Sequence, residues 1–439
     1  MVMQRILHLG LGNFHRAHQA YYTAKSGDWR IHGVVMRNQG LYDDLMAHQG
    51  RYLLGVWDVG GLSAEVMDIY DDIILASDNT ESVIAAIADE AITIITLTIT
   101  EKGYYLTSDG KLDVNNDAIS DDLISKKPQT AIGLLAAGVA RRAAGHGAPI
   151  TVISCDNLSE NGSKLQAAMA AYCAQAYPQI AQWLADHVRF PNTMVDRITP
   201  RLSQQASDEI TAIAPADFAG LPVVGTEAFS EWIIEDDFAS HRPEWEQAGV
   251  EIVSDVKPFE DRKLRLLNAS HSYLAYAGLL QGYEFVHEAI NDATLSDQIN
   301  QLWDEAEITI SAPASDSINA YREALLARFS VPAMRHQLAQ IAMDGSLKIR
   351  ERLVPIIKQR YQHHLLSPAS CSGIASWLCY CYRTSKAGKV IVDAKADKIA
   401  ELATSTDDIF VFADKMMADL DLPDEAQNHI KAALSELTA

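Results

Sequence analysis

The first half of the chain alternates short apolar runs of strand character with segments of helical character. Four such runs stand at residues 5–9, 29–36, 91–99 and 148–155. The run at 91–99 is rich in isoleucine and threonine, which suits a buried strand. Strands that are separated by helices form βαβ units, and βαβ units build parallel sheets. The pattern therefore predicts an α/β domain with a parallel sheet at the N-terminal end of the chain.

The character of the sequence changes near residue 265. Beyond this point strand-like runs become rare, and helical character is found over 266–280, 292–306, 317–329, 347–363, 373–382 and 424–437. We therefore predict a parallel-sheet domain over residues 1–260 and a mostly α-helical domain over residues 261–439. A chain of 439 residues is long enough for two such domains.

The charge balance and the cysteines exclude several classes of protein. The chain has 36 Lys and Arg against 58 Asp and Glu, a formal net charge of −22, whereas nucleic-acid binding needs clustered cations. No apolar run approaches the roughly 20 residues of a membrane span, and no signal-peptide core precedes the first strand. The 5 cysteines are too scattered for a disulfide framework. We expect a cytoplasmic protein with reduced thiols and no nucleic-acid or membrane partner.

A glycine-containing turn follows the first predicted strand and opens a helical segment, which we predict from Arg16 to Ala24. Gly10 permits a tight turn, and Gly12 lets backbone amides approach a ligand closely. A helix that begins here would offer unpaired N–H groups and positive dipole character to a phosphate. The third glycine of the G-x-G-x-x-G pattern is missing, since His15 stands there. The turn predicts a dinucleotide site, with an ordinary strand–helix turn as the competing interpretation.

The second predicted strand ends in Met36-Arg37-Asn38-Gln39, without the acid that accepts adenosine ribose hydroxyls in many dinucleotide sites. Asn38 could bond a ribose hydroxyl instead, and Arg37 could pair with a 2′-phosphate. The choice between NAD and NADP therefore stays open.

A second cluster of polar residues lies between residues 260 and 271, in a segment of helical character. On an α-helix with about 100° per residue, Glu260 and His271 fall within about 80° of Lys263. Asn268 falls at about 140° on the same helix. An exposed salt-bridged face would use glutamate and lysine, but it has little use for asparagine and histidine among leucines. The alternative to that interpretation is a catalytic face.

These residue types suit the oxidation of an alcohol without a metal ion. Hydride leaves a carbinol carbon for a nicotinamide, so a base must accept the hydroxyl proton, and a buried lysine can do so. Amide N–H donors would stabilise the oxygen as it gains negative charge. Asn268 is one candidate donor, and Asn157, just past the predicted strand at 148–155, is the other.

Together these segments resemble the polyol-specific long-chain dehydrogenase/reductase family, also called the mannitol dehydrogenase family. The resemblance runs in order along nearly the whole chain, through GLGNFHRAHQ (10–19), TLTITEKGYY (96–105), SCDNLSENG (154–162), NTMVDRITP (192–200), EWIIEDDF (231–238), KLRLLNASHSYLAYAG (263–278) and MDGSLKI (343–349). It implies an N-terminal Rossmann-type domain, a mostly helical C-terminal domain and an active site in the cleft between them.

The resemblance implies three sets of site residues and no catalytic metal. The catalytic set is Lys263 as general base and acid, Asn157 and Asn268 as the oxyanion-stabilising pair, His271 as a ligand of substrate hydroxyls, and Glu260 as a group linked to proton exchange with solvent. The substrate-binding set is Asp196, Lys348, His271 and Asn157. The cofactor-binding set is Gly10, Gly12, Asn13, Phe14, Arg37, Asn38 and Glu101.

The resemblance defines the reaction more closely than the substrate. It implies an NAD-dependent enzyme, with NADP as the other possible cofactor, that interconverts a linear sugar alcohol of the mannitol or arabinitol class and its ketose. A hexuronate reductase acting on fructuronate or tagaturonate is the alternative, because Gln340 stands where mannitol dehydrogenases often have arginine. The additional carboxylate would need a cation, for which Arg350, Arg352 and Arg383 are candidates. A sensor of NAD(H) or sugar without turnover is a third interpretation, and we expect a monomer or a weak homo-oligomer.

Overall fold

The structure is a computed structural model that describes residues 4–107, 109–218 and 220–438. The chain divides into two compact units, Met1–Val256 and Lys257–Ala439. The second unit begins at Lys257, whereas the sequence predicts a boundary at residue 261. The helix that carries Glu260 therefore belongs to the same unit as Lys263.

The first unit contains strands and helices in alternation. Its strands are β1 (Arg5–Leu9), β2 (Arg30–Val35), β3 (Tyr52–Asp58), β4 (Gly61–Met67), β5 (Tyr70–Leu75), β6 (Ile92–Leu97), β7 (Ile150–Ser154), β8 (Val188–Arg189), β9 (Thr193–Asp196), β10 (Val223–Glu227), β11 (Glu231–Glu235) and β12 (Glu251–Val253). Its α-helices are α1 (Asn13–Ala17), α2 (Gln19–Ala24), α3 (Gln39–Ala47), α4 (Thr80–Ile87), α5 (Asp117–Ser125), α6 (Ala131–Ala144), α7 (Asn161–Ala176), α8 (Ala181–His187) and α9 (Gln204–Ile213).

The main sheet of the first unit is parallel. Its strands follow the order β5-β2-β1-β6-β7-β8 within the residues that the structure describes. This order is that of the Rossmann fold, in which ligands bind outside the carboxyl ends of the strands, where the winding reverses beside the first strand. The four strands predicted from sequence correspond to β1, β2, β6 and β7. The predicted α/β class with a Rossmann-type sheet is confirmed.

Both faces of this sheet are buried. Leu7 and Leu9 of β1 enter one hydrophobic cluster, while Ile6 enters a second. Alternate residues of a strand point to opposite faces, so a strand that is covered on both sides reads as a continuous apolar run. Smaller sheets, β10-β3-β4 and β12-β11-β9, complete the described sheet structure of this unit.

The second unit is helical, as predicted, and its described residues form no strand. Its helices are α10 (Lys257–Arg262), a π-helix (Lys263–Asn268), α11 (Ala269–Gln281), α12 (Val286–Asn291), α13 (Ala293–Glu307), α14 (Ile318–Phe329), α15 (Leu338–Ile341), α16 (Gly345–Arg352), α17 (Val354–Gln362), α18 (Pro368–Lys386), α19 (Ala396–Thr404), α20 (Ile409–Met417) and α21 (Asp424–Thr438). The long helix α18 packs against α11, α13, α19 and α21.

The predicted helix over 347–363 is wrong in one respect, because it is two helices that meet at Leu353. Pro355 stands in the first turn of α17, where the missing N–H is tolerated, whereas in a helix interior it would break the ladder. The 5 cysteines are unpaired and buried. In the described part of the chain, none of the helices has both the length and the apolar character that crossing a membrane requires.

Candidate functional site

The glycine turn lies at the carboxyl end of β1. Gly10 has a φ of +95°, a left-handed value that residues with a side chain rarely adopt. A Cβ atom at this position would come within 2.2 Å of the Thr98 carbonyl oxygen. The N–H groups of Gly10 and Leu11 both donate to the Val34 carbonyl, at 3.0 and 2.9 Å. The turn is therefore packed against β2 and the residues after β6, and only glycine fits at residue 10.

The helix after the turn differs from the predicted one. Instead of one helix over 16–24, the structure has α1 and α2, which are interrupted at His18. The His18 ring bonds through Nε2 to the Glu231 carbonyl at 3.0 Å, and this long-range contact accompanies the break. Because α1 has only 5 residues, its macrodipole is small. The electrostatic stabilisation of a phosphate by this helix N-terminus should therefore be weaker than the sequence predicts.

Arg16, in α1 directly after this turn, is a buried cation that was not predicted from the sequence. Its Nη2 donates to Asn13 Oδ1 at 2.7 Å. Its Nε and Nη1 have no hydrogen-bond partner among the residues that the structure describes. Desolvation lowers its pKa from the usual value, and an anion bound nearby would oppose that effect. The spacing of Asn13 and Arg16 by three residues is the signal that could have revealed the pair.

Two stacked histidines support the turn from within the core. The His8 ring bonds to the hydroxyls of Thr96 and Thr98, at 2.8 and 2.9 Å, and the His15 ring stacks on it with 3.3 Å between centroids. Desolvation lowers the pKa of His8 to about 3 and the pKa of His15 well below its usual value. Both rings are therefore neutral at neutral pH and serve packing rather than proton transfer.

The remaining residues of the predicted cofactor set also follow strands of the main sheet. Arg37, after β2, is exposed. Asn38 caps α3, because its Oδ1 accepts the Leu41 N–H at 3.1 Å. Its amide N–H groups could still donate to a ribose oxygen. Glu101 is exposed and begins a short 3-10 helix after β6. The structure thus places all seven predicted residues at the carboxyl edge of one parallel sheet: Gly10, Gly12, Asn13, Phe14, Arg37, Asn38 and Glu101.

The predicted substrate-binding residues are divided between the two units. In the first unit, Asn157 is exposed just after β7, and Asp196 is buried at the end of β9. In the second unit, Lys348 lies on α16, and its Nζ donates to the Ile341 carbonyl at 3.0 Å.

Lys263 and Asn268 lie in the π-helix, so the predicted α-helical spacing of this segment is wrong. A π-turn joins an N–H to the carbonyl five residues earlier, as the Ala269 N–H does to the Leu264 carbonyl. Lys263 and Asn268 are themselves five residues apart. The wider turn therefore brings Asn268 closer to the face of Lys263 than an α-helix would. Lys263, which is only 9 % exposed, is buried in this segment.

Side chains of the next helix and of distant parts of the second unit bind the carbonyl groups of the π-helix. The Leu266 carbonyl accepts the Ser270 hydroxyl at 2.6 Å and the Trp303 indole N–H at 3.2 Å. The Asn268 carbonyl accepts the Arg352 Nη1 at 3.1 Å. These bonds satisfy buried acceptors and stabilise an otherwise rare backbone geometry, which is frequent at functional sites.

His271, on α11, is a buried imidazole with an unused nitrogen. It is 7 % exposed, and its Nε2 has no hydrogen-bond partner in the described part of the chain. Its ring packs against Phe329 and His336, with centroids 4.9 and 5.1 Å away. Desolvation lowers its pKa well below the usual value, and His336 and neighbouring cations add to this effect. The imidazole is therefore neutral and can exchange a hydrogen bond with a ligand hydroxyl.

The three arginines that are candidates for binding a substrate carboxylate have different hydrogen-bond partners in the structure. Arg350 donates to the Asp419 carbonyl at 2.6 Å, and Arg383 donates to the Leu437 carbonyl at 2.8 Å. Of the three, Arg352 is the one that binds the segment of the predicted catalytic residues, through Asn268 and the Ser272 hydroxyl. Glu260, on α10, is buried as well.

The described residues contain no group of three or more histidine, cysteine, aspartate or glutamate side chains that could hold a metal ion. Cys379 and Cys381, whose spacing is reminiscent of a metal site, are both buried in α18.

Comparison with known proteins gives consistent matches over both units. Residues 4–247 match the family model of the mannitol dehydrogenase Rossmann domain, and residues 255–438 match that of the mannitol dehydrogenase C-terminal domain. A mannitol 2-dehydrogenase of Phaeosphaeria nodorum is 39 % identical over 378 residues, which cover 82 % of this chain and 66 % of that protein. The D-mannonate oxidoreductase of Escherichia coli is 35 % identical over 403 residues, 88 % of this chain and 82 % of that protein.

A solved structure agrees with these matches. The Pseudomonas fluorescens mannitol 2-dehydrogenase, in a ternary complex with NAD and D-mannitol, superposes with a TM-score of 0.83 at 33 % identity. The alignment covers 99 % of this chain and 91 % of that one. The resemblance noted in the sequence is confirmed, and the chain belongs to the mannitol dehydrogenase family.

Proposed function

We propose that the protein is an NAD(P)-dependent oxidoreductase that interconverts a linear sugar alcohol, of the mannitol or arabinitol class, and its ketose. The observation that carries this proposal is the π-helix, which holds a buried lysine and an asparagine five residues apart, followed closely by His271 with its unused Nε2. A base, an amide donor and a hydroxyl ligand are the groups that oxidation of a polyol requires. The relative that binds NAD and D-mannitol supports the same choice.

The first unit is suited to a dinucleotide. The Gly10 turn leaves no room for a Cβ atom, and the buried Arg16 keeps two donors without a partner among the described residues. Such a turn can receive a pyrophosphate, whose charge the guanidinium would offset. When bound, the nicotinamide cofactor supplies the hydride acceptor for oxidation and the hydride donor for reduction. Arg37, exposed after β2, leaves both NAD and NADP as candidates.

Lys263 is proposed to move the proton of the reaction. In oxidation its neutral amine accepts the proton of the reacting hydroxyl, and in reduction its ammonium returns a proton to the carbonyl oxygen. Burial and neighbouring cations favour the neutral form of a lysine. Glu260, on the preceding helix, is proposed to pass that proton to and from solvent.

Asparagine and histidine side chains are proposed to hold the reacting alcohol. The amides of Asn157 and Asn268 donate hydrogen bonds to the oxygen as negative charge develops on it. His271, which is neutral, exchanges a hydrogen bond with a neighbouring substrate hydroxyl through Nε2. Asp196 and Lys348 are proposed to bind hydroxyls farther along the carbon chain.

The proposal is tested by steady-state kinetics with C5 and C6 polyols, ketoses and ketouronates, each with NAD(H) and NADP(H), followed by nicotinamide absorbance. We expect turnover of at least one polyol and of the corresponding ketose. The relative that acts as a D-mannonate oxidoreductase makes the hexuronate reductase the second candidate, which turnover restricted to ketouronates would establish. Binding of NADH without turnover of any compound in the panel would instead indicate a sensor.

Treatment with a metal chelator should leave this activity unchanged. Lys263 and the two asparagine amides would together supply the proton acceptor and the charge stabilisation for which other alcohol dehydrogenases use a metal ion. The measurement is kcat before and after prolonged incubation with EDTA, with a known zinc dehydrogenase as the positive control. Loss of activity that added zinc restores would contradict a mechanism without metal.

A further inference from the structure

The Asp156 carboxylate, directly before Asn157, binds the loop that follows the neighbouring strand. Its Oδ2 accepts the Ile99 N–H at 2.9 Å, and its Oδ1 accepts the Thr100 N–H at 2.9 Å. The Tyr104 hydroxyl donates to Oδ2 at 2.7 Å. All three donors belong to the segment after β6, while Asp156 itself follows β7. One carboxylate therefore joins the carboxyl ends of two adjacent strands, at the edge where a Rossmann sheet binds its ligands.

The conformation of Thr100 shows why the loop needs such an acceptor. Its φ is 63° and its ψ is 161°, a combination that is nearly restricted to glycine and is strained for a β-branched residue. Strained backbone persists only where the surroundings hold it, and here the Thr100 N–H is held by Asp156. Glu101, one of the predicted cofactor residues, follows immediately in the chain.

The backbone around Asp156 is fixed from the other side. Asn161, which is fully buried, donates through Nδ2 to the carbonyls of Ser154 and Asp156, at 3.1 and 3.2 Å. The Leu158 N–H donates to the Asp156 carbonyl at 2.8 Å. Asn157 therefore directly follows a residue whose side chain binds the loop after β6 and whose carbonyl binds Asn161 of α7.

We infer that Asp156 is a positioning residue, whose ionised carboxylate fixes both Asn157 and the loop after β6 in the geometry that turnover requires. The inference rests on the proposed function, because it gives Asp156 its effect through Asn157. The two carboxylate oxygens already accept three protein donors. A role in direct contact with the reacting atoms is therefore not assigned to it.

The charge on Asp156 responds to pH in an accessible range. Burial raises its pKa to about 6, and Glu101 adds to this rise, while the bonds from the loop oppose it. Among the described residues, Tyr104 and Cys155 also interact with it; burial raises the pKa values of both well above their usual range, so both stay neutral. A protonated carboxyl accepts N–H bonds more weakly. The three bonds from the loop lower the pKa of the carboxyl, so its protonation opposes them. As long as the carboxyl stays buried, the loop should therefore be held less tightly as the pH falls below about 6.

The test is Asp156→Asn, assayed in the direction of ketose reduction. Lys263 works there as the proton donor, so acid does not remove the form of the lysine that reduction needs. The wild-type kcat should fall as the pH drops through about 6. In the variant, kcat at pH 7 should be about 10- to 10²-fold lower, which is the size of effect that a small misplacement of a catalytic group produces. The kcat of the variant should then stay constant as the pH drops through about 6. The KM for NADH should stay nearly the same.

Asp122 provides the matched control. Its carboxylate accepts the N–H groups of Gln129 and Thr130, at 2.7 and 3.0 Å, and the Thr130 hydroxyl at 2.6 Å. It is thus a buried carboxylate with three donors in the same unit, but it holds the loop before α6. Asp122→Asn should retain the wild-type kcat and the wild-type pH profile.

Hydrogen exchange over residues 98–105 gives a readout that does not depend on turnover. We expect faster exchange there in Asp156→Asn than in the wild type at pH 7, and unchanged exchange in Asp122→Asn.

If Asp156→Asn fails to fold, Tyr104→Phe removes one of the three donors and should produce a smaller change of the same kind. Wild-type exchange together with a wild-type pH profile in the variant would overturn the inference and leave the proposed function intact. If the wild type turned over no compound of the panel, the proposed function would fail and the exchange measurement alone would decide whether Asp156 holds the loop.

Discussion

Lys263→Ala should lower kcat by about 10²- to 10⁴-fold, the usual contribution of a positioned general base. The KM for the cofactor should change little, because the predicted dinucleotide residues lie in the first unit, while Lys263 is buried in the second. The loss should be largest for polyol oxidation near neutral pH, where the reacting hydroxyl holds its proton firmly. Steady-state kinetics in both directions, together with NADH binding followed by fluorescence, separate these effects.

Two controls distinguish lost chemistry from lost structure in this variant. Lys257 is an exposed lysine of the preceding helix, paired with Asp261, so Lys257→Ala should keep nearly the wild-type kcat. Small primary amines added to Lys263→Ala should restore part of its rate, since they supply the missing base. Nearly normal turnover in Lys263→Ala would refute the assignment of the base. A rate that no amine restores, in a variant that folds and binds NADH, would point to a positioning effect instead.

Four strands of the main sheet, β1, β2, β6 and β7, could be predicted because their residues are mostly buried. Residues such as Leu7, Ile95 and Val152 belong to runs that are mostly apolar, and such runs can be recognised without any knowledge of the strands beside them. The strands of the small sheets were not predicted: in β4 exposed residues alternate with half-buried ones, and β9, although buried, has only 4 residues. The break at His18 accompanies a hydrogen bond to a carbonyl 213 residues farther along the chain, and such a contact leaves no sign in the local sequence pattern.

The residue types of the candidate site could be read from the sequence, but their geometry could not. The order of Lys263, Asn268 and His271 suggested a catalytic segment, and their roles stay predictions. Their spacing was misjudged because the π-helix is stabilised by Trp303 and Arg352, which come from other helices. Asp156 and Arg16 were not predicted for a related reason. Each is distinguished by the hydrogen bonds that it makes in the folded chain, which its residue type alone does not indicate.

Asn268→Ala and Asn157→Ala should each lower kcat by about 10²- to 10³-fold, the cost of removing one donor from a developing oxyanion. Each loss should appear in kcat more than in the KM for the polyol, because the negative charge that the amide stabilises exists only during hydride transfer. Asn268→Asp tests the same point with little change of shape, since a carboxylate has no N–H to donate and would repel the charge.

Control variants distinguish the loss of a catalytic donor at these two positions from the general effect of replacing a half-buried or capping asparagine. The side chain of Asn300, on α13 of the second unit, donates through Nδ2 to the Ser296 carbonyl of the same helix at 3.1 Å, so Asn300→Ala is the control for Asn268. Asn116 caps α5 in the first unit and serves the same purpose for Asn157. If both asparagines donate to one oxygen, the double variant should lose less than the product of the single losses, because residues that act as a unit are not additive. A change confined to KM in either single variant would make that asparagine a ligand of the bound substrate and leave the oxyanion to be stabilised by another donor.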